Sequence, residues 1–272
     1  LQRIHWSDSY NEEHEEMLCC FLHAIQESAS LKELHMDLLR GDGPSTLAFE
    51  NMLTHTQNLR SLSLRIFRGR NVAAAVSGLK KNTTLRELTL ELHQGSTVSP
   101  ILTSLRDHPL LQRLCLRGYT MDLTGLETLL LSDTSKITEL NIKGYTFNGR
   151  PPAIGLTHVL QALARRPTLT KLELLCCPLG RDESILLQMA LCNTPSLQSL
   201  TLTYYTLGSA GLAELAPALF HNTSIQVLDI SENALYDIES ANIIRDILCH
   251  NKTMTTLDLS ANRFGIHTGI VQ

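Results

Sequence analysis

The chain has 272 residues, of which 43% are apolar and 18% are charged, a balance typical of a folded protein rather than a disordered one. Its net charge of −4 argues against binding to nucleic acid, which normally requires a basic surface. No segment approaches the roughly 18 uncharged apolar residues of a membrane helix, and the first residues lack the features of a signal peptide. The seven cysteines are scattered and form no C-x-x-C pair, which favours a reduced, cytoplasmic protein.

A leucine pattern recurs along the whole chain at intervals of 26 to 32 residues. In each copy, apolar residues stand at the first, fourth and sixth positions, and all thirty of these positions are apolar. The last two alternate with other residues, as on a half-buried strand. The copies begin at Leu1, Leu31, Leu59, Leu85, Leu111, Ile137, Leu169, Leu197, Ile225 and Met254.

Each copy continues with a turn and an amphipathic stretch that predicts a helix. The clearest stretch runs from Ser209 to Phe220 with its leucines on one face, although Pro217 is expected to kink or shorten the helix. Polar residues predict where other helices start, namely Asn71, Ser99 and Asp182. A strand and a helix in so short a span cannot bury their apolar faces alone, so the copies are expected to stack.

Polar loops are predicted where the helices end. Asn82, Asn222 and Asn251 occupy equivalent positions in these loops, and each also fits the glycosylation sequon. Because capping explains an asparagine at this position, we favour a structural role over glycosylation. The tripeptide Arg40-Gly41-Asp42, which adhesion receptors read, is interpreted as a chance match in a turn.

These repeats resemble those of the leucine-rich-repeat superfamily, and specifically of its ribonuclease-inhibitor-like class, over essentially the whole chain. The best matches are residues 225–235 and 254–264, which carry the family's asparagine at the ninth position as Asn233 and Asn262. Cys177 is the family's alternative at that position, where the side chain satisfies backbone groups of the turn. The resemblance implies an α/β leucine-rich-repeat solenoid (horseshoe) of about ten repeats, with a parallel concave sheet and convex helices.

The middle repeats depart from the family pattern at the ninth position, which holds Tyr119, Tyr145 and Tyr205. Either the tyrosine hydroxyl replaces the asparagine in the turn, which we favour, or these tyrosines reach a ligand. Repeats two to four have no recognisable residue for this role, so their turns are expected to be irregular.

We interpret residues 1–272 as one leucine-rich-repeat domain cut from a longer array or a multidomain protein. No amphipathic cap is recognisable at either end, and a solenoid needs such caps on its terminal repeats. The open ends are therefore expected to self-associate. Residues 1–30 and 254–272 are expected to be less protected from hydrogen exchange than residues 85–230.

The motifs of nucleotide loops and zinc proteases are missing from the sequence, so it predicts no cofactor, no metal ligand and no catalytic residue. His5 and His35 occupy equivalent positions on neighbouring strands, about 4.8 Å apart. We favour two solvated histidines over a metal-binding or pH-sensing pair. Cys115 is predicted to face solvent on the concave side. Its only candidate bases are neighbouring Lys or Arg residues, so we do not favour a catalytic thiol.

The surface of the predicted sheet is the candidate binding site, because the exposed third, fifth and seventh positions of the repeats form rows across it. The candidate residues are a mixed-charge patch and an aromatic anchor at its rim, namely Glu87, Glu91, Arg113, Arg117, Glu139, Lys143 and Tyr204. The alternative interpretation is that neighbouring acids and bases only satisfy each other across strands.

The resemblance implies a non-enzymatic module that recognises another protein, as a sensor or a scaffold, and neither nucleic acid nor membrane is expected as a partner. Comparable arrays form the ligand-sensing ends of nucleotide-binding innate-immune receptors. Others inhibit ribonucleases, but the mixed charge of this face disfavours that role. Stimulation of a Ran-type GTPase and selection of substrates for a ubiquitin ligase remain as alternatives.

Overall fold

A computed structural model describes residues 1–7, 15–38, 44–66, 70–93, 97–145, 153–165, 168–203 and 207–262. The chain divides into two compact units, residues 1–137 and residues 138–272. In each unit, strands alternate with helices and the main strands are parallel, which confirms the predicted α/β leucine-rich-repeat fold. Among the helices described, none is long and apolar enough to cross a bilayer.

In the first unit, strands β1 to β5 are parallel and lie side by side in chain order. The strands, with a short sixth one, are β1 (Arg3–Trp6), β2 (Glu33–Leu38), β3 (Ser61–Ile66), β4 (Glu87–Leu92), β5 (Arg113–Gly118) and β6 (Thr120–Met121). The helices between them are α1 (Glu15–Glu27), α2 (Pro44–His55), α3 (Arg70–Lys81), α4 (Ser99–Ser104) and α5 (Thr124–Leu130).

The second unit repeats this arrangement, with β7 and β9 to β12 parallel and adjacent in chain order. Its strands are β7 (Glu139–Gly144), β8 (Ala153–Ile154), β9 (Lys171–Leu175), β10 (Ser199–Thr203), β11 (Val227–Asp229) and β12 (Thr256–Asp258). Its helices are α6 (Thr157–Arg165), α7 (Arg181–Asn193), α8 (Gly208–His221) and α9 (Ile238–His250).

The core consists of the repeated apolar positions predicted from the sequence. In the second to ninth copies, every one of these side chains is at most 2% exposed. In the first and tenth copies the prediction of burial is wrong, because Leu1 is 82% exposed and the other five positions are only half-buried. Within the described residues, β1 and β12 each have a neighbouring strand on one side only, so their apolar side chains are covered from one side.

The helices follow the predicted apolar faces, but not every predicted start. Helix α8 buries Leu212, Leu215 and Leu219 as expected, and it continues past the exposed Pro217 instead of ending there. Asn71 and Asp182 were expected to precede their helices, but they are the second residues of α3 and α7. The expectation that Ser99 precedes its helix is wrong, because Ser99 is the first residue of α4.

The predicted role of the ninth position is confirmed in three repeats. Asn233 is 3% exposed, and its Nδ2 donates to the backbone oxygens of Leu202 and Ser231. Asn262 Oδ1 in turn accepts from the backbone nitrogens of Asn233 and Leu235. In the seventh repeat the Cys177 thiol donates to backbone oxygens in the same way, at 3.3 Å and 3.4 Å. The residue before each of these three has a left-handed backbone, with φ between 53° and 57°.

A second set of side chains, buried or half-buried, closes the loops in which helices end. Asn82 Oδ1 accepts from the backbone nitrogens two and three residues further on, and Asn222 and Asn251 do the same. Asn82 is 2% exposed and its Nδ2 donates to the backbone oxygen of Leu53. This geometry confirms the structural interpretation of the three sequons.

His108 takes the place of asparagine in the fourth repeat. Its Nδ1 accepts from the backbone nitrogens of Leu110 and Leu111 at 3.3 Å and 3.1 Å, so the ring proton lies on Nε2, 3.4 Å from Asn82 Oδ1. Burial lowers the pKa of His108 from 6.5 to about 4. A proton on Nδ1 would remove the acceptor on which the loop depends.

Replacement Asn233→Ala should destabilise the protein by about 2–3 kcal/mol, because buried backbone groups of the turn lose their partners. The measurement is urea denaturation followed by circular dichroism. The control is Asn242→Ala on the exposed side of α9, which should change the free energy of unfolding by less than about 0.5 kcal/mol. Equal effects of the two changes would contradict the structural role of the ninth position.

Protonation of His108 should make the folded protein less stable as the pH falls. Because its pKa is 6.5 in ordinary surroundings and about 4 in the folded protein, the unfolded chain binds a proton more readily between these values. The free energy of unfolding should therefore drop by up to about 3 kcal/mol as the pH falls across that window.

The variant His108→Asn keeps the acceptor that the other loops use, so this part of the pH dependence should disappear. Denaturation curves at several pH values would measure the slope in both proteins. His221→Asn, at an exposed histidine, is the matched control and should leave the slope unchanged. An unaltered slope in His108→Asn would show that the acid sensitivity arises elsewhere.

Candidate functional site

The exposed face of the first unit's sheet carries ordered rows of side chains. The register places Glu33, Ser61, Glu87 and Arg113 on successive strands in the third position. In the seventh position the successive residues are Asp37, Arg65, Glu91 and Arg117. The rows predicted from the sequence are therefore present. Acids and bases alternate along the seventh position, whereas a serine separates two acids in the third.

Two of the candidate residues form an ion pair with each other. Arg113 Nη1 lies 2.8 Å from Glu87 Oε1, and the two side chains are 49% and 43% exposed. An exposed pair of this kind contributes less than about 1 kcal/mol to stability. The interpretation that neighbouring charges satisfy each other is correct for this pair, but both side chains stay within reach of a partner.

Arg65 organises the neighbouring charges, although the candidate list from the sequence omitted it. Its guanidinium lies 3.1 Å from Glu91 Oε1 and 3.3 Å from Asp37 Oδ2. Asp37 is only 12% exposed at its side chain, and its Oδ1 is buried without a hydrogen-bond partner. The alternation of charge along the seventh position indicated that such a network could form. The sequence does not show, however, whether a base between two acids binds one of them or both.

His5 and His35 are in register as predicted, and their ring centroids are 4.2 Å apart. His35 Nε2 lies 3.7 Å from Asp37 Oδ1. Burial lowers the pKa of His35, and the charge of His5 lowers it further. Among the described residues, no group of three or more His, Cys, Asp or Glu side chains is arranged to hold a metal ion.

The prediction that Cys115 faces solvent is wrong, because this residue is only 7% exposed. Its Sγ lies 3.3 Å from Arg117 Nε, so the longer side chain on the same strand shields the thiol. Cys115 does stand in the row that the sequence assigns to it, next to Thr89 on the adjacent strand. The sequence therefore predicted the row of Cys115 correctly and its exposure to solvent wrongly.

The other charged candidates belong to the second unit, where Glu139 and Lys143 are half-buried on β7. On the next strand Lys171 Nζ lies 2.7 Å from Glu173 Oε1, and Asn141 donates to the same carboxylate. Towards β12 the exposed residues are mainly Ser and Thr, and the carboxylates of Asp229 and Asp258 accept from backbone nitrogens of their own turns.

The aromatic candidate Tyr204 lies outside the described residues, as do Tyr205, the Arg40-Gly41-Asp42 segment and the turns at 39–43, 67–69 and 94–96. Tyr119 and Tyr145 are described and half-buried. Their partial burial is compatible with either interpretation of the ninth position.

No protein-family model matches the chain, and no curated protein matches it. Among solved structures, a protein from Bacteroides fragilis aligns with a TM-score of 0.51 at 12% identity, over 94% of this chain and 74% of that one. The leucine-rich-repeat-containing protein LegL7 from Legionella pneumophila aligns with a TM-score of 0.43 at 14% identity, over 92% and 98%. A chain of the yeast Rad7 and Elc1 complex aligns with a TM-score of 0.33 at 12% identity, over 97% and 87%. The first likeness shows the fold alone, and the other two are too distant to support an argument.

Removal of Arg65 should cost more stability than removal of Arg113, although the two side chains are similarly exposed. Arg65→Ala leaves the mostly buried Asp37 without its countercharge, for which we expect a loss of about 1–2 kcal/mol. Arg113→Ala leaves an exposed Glu87 and should cost less than about 0.5 kcal/mol. Urea denaturation of both variants measures the difference, and equal losses would show that Arg65 has no organising role.

Proposed function

We propose that this chain is a non-enzymatic module that recognises another protein, in the manner of ribonuclease-inhibitor-like leucine-rich repeats. The partner contacts the exposed sheet face or its rim. The observation that carries the proposal is the pair of charged rows of the first unit, in which half-exposed Arg113, Glu87 and Arg65 are held in fixed register on a parallel sheet. A cytoplasmic location, a single domain over residues 1–272 and a place in a longer chain belong to the same proposal.

A sheet is a suitable platform for recognition because its backbone hydrogen bonds fix the spacing of the side chains. Glu87 and Arg113 on one row, and Glu91 and Arg117 on the other, occupy neighbouring strands. Alternating signs favour a partner with a complementary mixed-charge surface over a uniformly charged one. Glu139 and Lys143 extend the candidate set in the second unit.

Charge complementarity of this kind governs specificity and the rate of association more than it governs affinity. Partner binding should therefore weaken as the salt concentration rises, because exposed charges are screened over about 8 Å at physiological ionic strength. Tyr119 and Tyr145 are the described aromatic residues nearest in sequence to the charged positions, and we include them as secondary contact candidates.

The test needs a partner protein isolated by affinity capture. The double variant Arg113→Glu with Arg117→Glu should reduce the free energy of binding to that partner by at least about 2 kcal/mol, or roughly 30-fold in Kd. Isothermal titration calorimetry on the purified pair measures this change. The control is Arg245→Glu on the exposed side of α9, which should leave Kd unchanged. If the helix variant weakens binding and the sheet variants do not, the exposed sheet face is not the site.

A GTP-hydrolysis assay with a Ran-type GTPase separates recognition from GTPase activation. We expect the full chain to leave the hydrolysis rate unchanged, because the proposed surface is a binding site without a catalytic group. A rate that rises with the concentration of the chain would replace this proposal with GTPase activation.

A further inference from the structure

Three basic residues lie in a row where strands β2, β3 and β4 begin. Lys32, Arg60 and Arg86 each precede the strand by one residue, at the second position of consecutive repeats. Backbone hydrogen bonds of 2.8 Å run from the Arg60 nitrogen to the Lys32 oxygen and from the Arg86 nitrogen to the Arg60 oxygen. The three residues are therefore direct neighbours, about 4.8 Å apart from strand to strand. We call this row the basic ledge.

The charges of the basic ledge are not neutralised within the part of the chain that the structure describes. Lys32 and Arg86 are exposed, Arg60 is half-buried, and none of the ion pairs there includes any of the three. The adjacent carboxylates bind other cations, since Glu33 contacts Arg3 and Glu87 contacts Arg113. Like charges on neighbouring strands repel each other, so the row costs stability unless an anion binds to it.

The central residue of the ledge is held in place. Arg60 Nη1 donates to the backbone oxygens of Gln57 at 3.3 Å and Thr84 at 3.1 Å. A guanidinium has five N–H donors, and those on Nη2 and Nε of Arg60 make no hydrogen bond within the described residues, so they remain available to an anionic ligand. Because the side chain is already ordered, binding would cost less conformational entropy than at a free arginine.

The ledge has limits on both sides. Lys80 in the last turn of α3 and Arg106 just after α4 are exposed near the same edge of the unit, since short loops join each helix to the next strand. The neutral Gln2 and Gln112 occupy the next places of the row on either side. The exposed acids Glu27, at the end of α1, and Asp107, after α4, precede and follow the ledge in the sequence. Asp107 accepts hydrogen bonds from Thr134 and Ser132, so it is held on the edge of the fold.

We propose that the basic ledge binds a short acidic segment of a partner protein, with a few Asp or Glu side chains in an extended conformation. The three cations span only about 10 Å, which suits such a segment. A nucleic acid would continue past the ledge onto the neutral Gln2 and Gln112, on a protein whose net charge is −4. This binding surface is distinct from the exposed sheet face, and it does not depend on what that face binds.

The test uses the full 272-residue chain and a fluorescein-labelled deca-glutamate peptide, with a deca-glutamine peptide as the neutral probe. Fluorescence anisotropy at low and physiological salt gives Kd. We expect the glutamate peptide to bind and the glutamine peptide not to bind. Binding of the glutamate peptide should be weaker at the higher salt concentration. The double variant Lys32→Gln with Arg86→Gln should raise Kd about fivefold, because two exposed ion pairs are lost.

A matched control keeps the net charge equal. Gln198→Glu with Gln226→Glu changes the charge by the same two units, at the same repeat position in the second unit, where both residues are exposed. It should change Kd by less than the ledge variant does. An equal rise in Kd in the two variants would mean that peptide binding depends only on the net charge of the protein, which would overturn the proposal.

Two other outcomes would also overturn it. One is that the wild-type chain binds the glutamate peptide no better than the glutamine peptide. The other is that a labelled single-stranded oligonucleotide of similar length binds more tightly than the peptide and loses its affinity in the ledge variant. The ledge would then be a nucleic-acid surface. Circular dichroism of each variant confirms that it is folded before its Kd is interpreted.

Discussion

Each repeat of this protein leaves its leucine side chains uncovered unless a neighbouring repeat packs over them. The strand is too short and the helix too narrow to enclose an apolar core alone. In the second to ninth copies the repeated positions are almost fully buried. This mutual coverage also fixes the register of adjacent strands, and the register places equivalent residues side by side on the exposed face.

Stacking repeats in this way buries backbone groups in the turns, and those groups need partners. Two kinds of side chain supply them, at opposite ends of the strand. Asn233, Asn262 and Cys177 serve the turn after the strand, and Asn82, Asn222 and Asn251 serve the loop before it. His108 serves as an acceptor in the fourth repeat. The imidazole is a titratable substitute for an amide, so this position makes the packing of the first unit sensitive to acid.

Charged residues on the two exposed surfaces of the first unit differ in how they are compensated. On the sheet face, Arg65 and Arg113 are neutralised by carboxylates on adjacent strands, so this surface presents alternating charge in a fixed pattern. At the start of the strands, Lys32, Arg60 and Arg86 form a row of one sign. The first arrangement favours a partner of mixed charge, and the second favours an acidic one. Both depend on the same strand register.

The sequence by itself determined the repeat, the buried positions of the inner copies and the order of the exposed rows, because each of these follows from local periodicity. The role of Asn233 and Asn262 was implied by the resemblance to the leucine-rich-repeat family. The sequence did not determine which charges bind each other, since Arg65 stands between two acids and only the side-chain conformations show that it binds both. Nor did it predict that Arg117 covers Cys115 or that His108 replaces an asparagine. Burial of the first and tenth copies was predicted wrongly for a related reason. Periodicity describes what a residue would contact in a complete stack, whereas exposure and pairing depend on the neighbours that lie beside it in the tertiary structure.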